Sequence, residues 1–104
     1  MKLQKRFHDQ VERQSIDTPD GAFLRTVQRA KAAGLPLMSM IDDRCDTMFN
    51  HRQQRLLLNE LRQILDSPDL LGDAQPIVGE LYDAVEEMLH TGGCLMLVPD
   101  RRPT

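Results

Sequence analysis

Leu3, Phe7 and Val11 recur every fourth residue in an otherwise polar stretch. On a helix that spacing draws one narrow apolar stripe, so the pattern predicts a peripheral helix over residues 2–14. Stronger signals announce a second helix: Thr18 can cap it, Pro19 fits its first position and Asp20 suits the positive end of its dipole. Phe23, Leu24, Val27 and Ala30 then share one face, and Gly34 is the natural stop. Residues 37–41 follow Pro36 and run into an acidic cluster, too short a stretch for a helix. They read as a strand apolar on both faces and therefore covered on both sides.

A polar loop leads to the longest helix, expected over residues 51–65. Asn50 is placed to cap it and Gln53 to reach back as in a capping box, with Leu57, Leu58, Leu61, Ile64 and Leu65 forming a wide buried face. Residues 70–75 form a connection with room for a short helical turn. Pro76 then opens a fourth helix, whose inner face carries Ile77, Val78, Leu81, Val85, Met88 and Leu89. Gly92-Gly93 breaks it, residues 94–98 form a second apolar strand closed by Pro99, and residues 101–104 are a frayed tail.

The expected order is helix, helix, strand, helix, helix, strand: a mostly helical α+β fold, ααβααβ, in one domain spanning residues 1–104. Two helices between the strands bring the chain back in a hairpin, which favours an antiparallel pair. Two strands alone are marginal, so helices must cover them, and an exposed edge invites a second copy across a two-fold axis, making a homodimer.

Composition narrows the function classes. With 40% hydrophobic and 28% charged residues, the 104-residue chain is an ordinary globular domain. A single Tyr and no Trp leave the core to aliphatic residues and Met. The first residues lack the apolar segment of a secretory signal, and no apolar run approaches the ~18 residues that span a bilayer; a soluble cytoplasmic protein with no membrane partner is expected. Cys45 and Cys94 form no C-x-x-C pair and read as free thiols, acting as small core or near-core hydrophobes. The net charge of −3 divides into +3 over residues 1–55 and −6 over residues 56–104. The basic half lacks interleaved aromatics and carries seven acids of its own, which argues against nucleic-acid binding.

Candidate chemistry gathers at the joint between the first expected strand and the third helix. Asp42, Asp43 and Asp46 are hard oxygen ligands, and Asp100 would join them only if the strands ran parallel. No EF-hand spacing is present, so solvated capping carboxylates are the commoner explanation and no metal is assigned. Arg44, His51, Arg52 and Arg55 crowd the start of the third helix, where cations oppose the helix dipole. An anion held by the first-turn N–H groups would account for them; side chains splayed into water or paired with neighbouring Asp are the commoner case. A Cys45–His51 thiolate pair oriented by Asp46 needs two groups six residues apart to face each other. His8, His51 and His90 fall in separate elements without zinc spacing, and no cofactor fingerprint occurs. On the fourth helix, Glu80, Asp83, Glu86 and Glu87 oppose the apolar stripe. Such a face is most often merely solvated, but it also suits electrostatic docking onto a basic protein.

Asp46-Thr47-Met48-Phe49-Asn50 with Gln53, a pattern D-T-x-F-N-x-x-Q, followed by a Leu-rich helix with Glu60-Leu61, a further helix and a terminal strand, resembles a set of small bacterial proteins over residues 24–100. That resemblance carries no activity with it. It implies a shared structural joint, with Asn50 and Thr47 as caps and Phe49 as a plug into the core. The reading favoured by the whole sequence is a non-catalytic protein-interaction module, of inhibitor, immunity or accessory-subunit type, that works through the acidic helix face. The alternative is an anion-binding or enzymatic domain centred on residues 42–55.

Overall fold

The computed structural model describes residues 1–16, 21–42 and 44–99. Within them lie four strands and four helices: β1 (Lys2–Arg6), β2 (Val11–Ser15), α1 (Ala22–Ala32), a 3₁₀ turn (Met38–Met40), β3 (Thr47–Phe49), α2 (His51–Leu65), α3 (Pro68–Leu71), α4 (Gln75–Thr91) and β4 (Cys94–Val98). The class is α+β, but the order differs from ααβααβ and the strands are four where two were expected. All three pairings are antiparallel, in the sheet order β2-β1-β4-β3. Thr18, Pro19, Asp20, Asp43 and residues 100–104, where a cap, a ligand and a tail were expected, lie outside the described residues.

The expected peripheral helix over residues 2–14 is a β-hairpin. A spacing of four is also twice the strand period, so Leu3 and Phe7 could not by themselves distinguish the two. Tertiary pairing decides: β1 lies between β2 and β4, with Leu3 opposite Gln14 on one side and Leu97 on the other. The Phe7 amide donates to the Gln10 carbonyl at 2.8 Å across the turn. β2 is an edge strand exposed along its whole length, which is why Glu12, Arg13 and Gln14 are tolerated there. Val11, placed on the apolar stripe by the helical reading, is exposed as well.

Residues 37–41 are also not a strand. The Leu37 and Met38 amides donate to the Glu60 carboxylate at 3.0 and 2.8 Å, and this anion caps the 3₁₀ turn. Leu37, Met38 and Ile41 enter the core, whereas Met40 is exposed, so the segment is covered on one side only. On the side of β4 away from β1 the neighbouring strand is β3, with Thr47 opposite Leu97 and Phe49 opposite Leu95. Its burial alternates, with Thr47 and Phe49 inward and Met48 outward.

Helices α2 and α4 follow their expected spans. Asn50 and Gln53 form the capping box: the Gln53 amide donates to Asn50 Oδ1 at 2.8 Å and the Asn50 amide to Gln53 Oε1 at 2.9 Å. Pro76 lies in the first turn of α4, and Gly92, at φ 77°, ends it. The two helices run antiparallel, since Arg62 meets Tyr82 while Gln54, two turns earlier, reaches Gly93 and Leu95. They lie over one face of the sheet, where Leu3, Leu95, Leu97 and Phe49 pack against Leu57, Leu61, Leu81 and Met88 in one continuous core. Gln4, Met96 and Met48 share a row on the opposite face, which also presents the exposed Lys2, Arg6 and Arg13. The molecule is accordingly a slab of one sheet layer and one helix layer, 21 Å through its thinnest dimension.

Candidate functional site

The outer surface of the helix layer brings the largest number of candidate residues together. Each of its two long helices turns its apolar stripe to the sheet and must therefore turn its charged stripe to water. On α4, Glu80, Asp83 and Glu86 are exposed and enter no ion pair among the described residues. Glu87, the fourth acid of the set, is half-buried and already engaged: Lys5 Nζ donates to its carboxylate at 2.6 Å. Lys5 reaches it because residue 5 of β1 points to the helix side of the sheet.

Alongside, α2 exposes Arg52, Arg55 and Arg62 on its own outer stripe, together with Leu56, which is 52% exposed. Arg62 donates to the Tyr82 hydroxyl at 2.8 Å, and its guanidinium carbon lies 5.9 Å from the ring centroid. The Tyr82 hydrogen bond, and then the charge Tyr82 can bear, raise the Arg62 pKa against desolvation, with Glu86 and Asp66 adding in the same direction. Arg62 is therefore a fixed cation at the seam of the two helices. Arg62 lies too far from the start of α2 to belong to the cations crowded there, and its signal in the sequence is the helical spacing of four and then three residues from Arg55 through Asn59.

The cations expected at the strand-to-helix joint do not form one cluster. Arg44 belongs to the loop before β3, is 80% exposed on its side chain, and lies 3.5 Å from Asp42. Its own amide donates to the same Asp42 oxygen at 2.9 Å. Arg44 and Asp42 line an open groove of about 290 Å³ against α1, with Lys31, Gln28 and Ser39 as its other polar members. His51, Arg52 and Arg55 lie on α2 and are not part of that groove. Cys45 is exposed ahead of β3 and His51 follows it, so a strand spanning ~10 Å holds the thiol and the imidazole apart. Cys45 is thus not a core residue, while Cys94 is partly buried in β4; both are free thiols. Asp46 is exposed in the same loop. Among the described residues no three His, Cys, Asp or Glu side chains are placed to hold a metal ion. Among the described residues no helix is long and apolar enough to cross a membrane.

Thr47, Phe49 and Asn50 of the joint have structural contacts. Phe49 is fully buried, Asn50 caps α2, and the Thr47 hydroxyl donates to the Met40 carbonyl at 3.3 Å, tying the 3₁₀ turn to β3 instead of capping a helix. Two polar side chains outside that pattern carry more of the architecture. Gln54 is fully buried: its Nε2 donates to the Gly93 carbonyl at 3.1 Å and its Oε1 accepts from the Leu95 amide at 2.7 Å. Glu60 is the buried cap already described. Comparison with protein families, curated proteins and solved structures finds no match.

Proposed function

We propose that this protein is a non-catalytic interaction module that docks a basic partner protein on the outer face of α4. The observation that carries this reading is the exposure of Glu80, Asp83 and Glu86 along one helix with no ion pair among the described residues. Carboxylates gathered on a helix whose other face is packed into the core project a field that steers an oppositely charged partner and favours its bound orientation. Glu87 contributes less than the other three, because Lys5 already neutralises it. An inhibitor, an immunity-type protein or an accessory subunit would each use such a face.

The test is affinity capture with the wild-type chain and with a Glu80→Lys/Asp83→Lys/Glu86→Lys variant, followed by mass spectrometry. A basic protein retained by the wild type and lost with the variant is the expected result. Equal capture by both overturns the reading, as does the absence of any retained protein across low and moderate salt from a chain that also fails to associate with itself. Circular dichroism confirms that the variant is folded, as expected for substitutions confined to exposed positions.

A further inference from the structure

The outer face of the helix layer is self-complementary in charge, and we infer that the basic surface docked by α4 is the α2 face of a second copy of this chain, so that α2 of each copy lies on α4 of the other. The inference rests on the reading of α4 as the docking face. Its own support is that the two signs are sorted onto neighbouring antiparallel helices: Arg52, Arg55 and Arg62 on α2, and Glu80, Asp83 and Glu86 on α4.

Symmetry turns that sorting into a specific interface. A two-fold axis in the plane of the contact and parallel to the helices places each α2 on the partner's α4 at an unchanged height along the helix axis. Arg62 and Tyr82 share one height, because they touch. A rise of 1.5 Å per residue puts Asp83 and Glu86 about 1.5 and 6 Å above it, and Arg55 about 10 Å above it. Across the axis, Arg62 of the second copy therefore meets Asp83 and Glu86, and Arg55 follows just beyond Glu86. The other in-plane axis, perpendicular to the helices, lays α2 on α2 and sets arginine against arginine. Charge thus selects one of the two arrangements. Leu56 and the half-buried Tyr82 add apolar surface to the same face.

Two helices of 15 and 17 residues cover roughly 20 by 23 Å, or about 500 Å² per copy, near the lower end for a stable interface. An interface of this size held largely by exposed charge pairs is weak and salt-sensitive, with the dissociation constant rising about tenfold or more between low and high salt.

Sedimentation equilibrium on the full chain and on charge-reversed variants tests this. Arg55→Glu/Arg62→Glu and Asp83→Arg/Glu86→Arg should each be monomeric alone. Mixed in equal amounts they should form a heterodimer, because both α2–α4 contacts are again opposite in sign. A chain carrying all four substitutions should dimerise with itself. If a reversed variant misfolds, the milder Arg55→Gln/Arg62→Gln and Asp83→Asn/Glu86→Asn pairs should still raise the dissociation constant about tenfold. A wild-type chain that stays monomeric at low salt up to about millimolar concentration, a dimer indifferent to both reversals, or a mixture that stays monomeric overturns the second-copy inference. If the wild type is monomeric yet captures a different basic protein through α4, this inference fails while the docking reading stands; loss of capture as well removes both.

Discussion

Replacing Glu60 by Gln is the sharpest probe of how this chain holds its irregular half. Glu60 is 6% exposed, and its two carboxylate oxygens accept separately from the Leu37 and Met38 amides at 3.0 and 2.8 Å. Gln keeps the length and one acceptor but replaces the other with an NH₂ group, which turns a donor toward a donor. One charge-assisted bond, worth about 1.5–3 kcal/mol, is lost, and a buried N–H is left unpaired. The segment cannot swing out cheaply to find water, because Met38 is fully buried and Leu37 nearly so. The expected cost is therefore about 2–3 kcal/mol for Glu60→Gln, and about 3–5 kcal/mol for Glu60→Ala, which loses both bonds and leaves a void. In a domain of this size 2 kcal/mol lowers Tm by roughly 10 °C. Urea denaturation followed by circular dichroism reads the global loss, and amide exchange at residues 37 and 38 reads the local one. A Glu60→Gln chain within about 0.5 kcal/mol of wild type, with those amides still protected, would refute the idea that this carboxylate dictates the 3₁₀ turn.

Further expectations follow from the same geometry. Gln54→Ala leaves the Gly93 carbonyl and the Leu95 amide unpaired in the core, and should cost about 2–4 kcal/mol in urea denaturation. Gly72 has φ 57° and ψ −130°, a conformation that favours Gly, and a Cβ there would also push the Arg29 guanidinium off its bond to the Thr26 hydroxyl, so Gly72→Ala should cost about 1–3 kcal/mol in urea denaturation. Gly79, inside α4 with open space where a Cβ would go, should behave oppositely: Gly79→Ala should stabilise by about 0.5–1 kcal/mol and raise Tm. Asn50→Ala removes the side-chain half of the capping box and should cost about 1 kcal/mol; no change in its thermal melt would mean that packing alone holds the start of α2.

What was legible in the chain is what local chemistry dictates. α2 and α4 carry their caps, breaks and 3.6-residue stripes within themselves, and β4 is an apolar run fenced by Gly-Gly and Pro. The acidic face of α4 could be read because its helix could. The first hairpin was hidden because Leu3 and Phe7 fit both periods, and what selects the strand is β4, whose pairing residues lie about ninety positions away. The 3₁₀ turn likewise depends on Glu60, more than twenty residues downstream, and β3 is too short to outweigh the polar loop around it. A signal for these long-range ties was present in α2. Gln54 and Glu60 sit on or beside the stripe of Leu57, Leu61 and Ile64, and a polar head turned toward a core announces a partner elsewhere in the chain. At the joint, crowding in sequence did not become crowding in space, because β3 intervenes between Cys45 and His51 and the arginines of α2 leave on its outer side.

The central place of β4 has a consequence for how the chain comes to be folded. It alone joins the β1–β2 hairpin to β3, yet it is the last of the four strands to leave the ribosome. Until it arrives, two halves of the sheet wait without a bond between them, and Leu3 and Phe49 have no apolar strand beside them. Non-local closure of this kind is slow relative to helix formation. Nascent chains halted before Cys94 should therefore hold helices but no four-stranded sheet, and residues 94–98 act as the keystone that joins its halves.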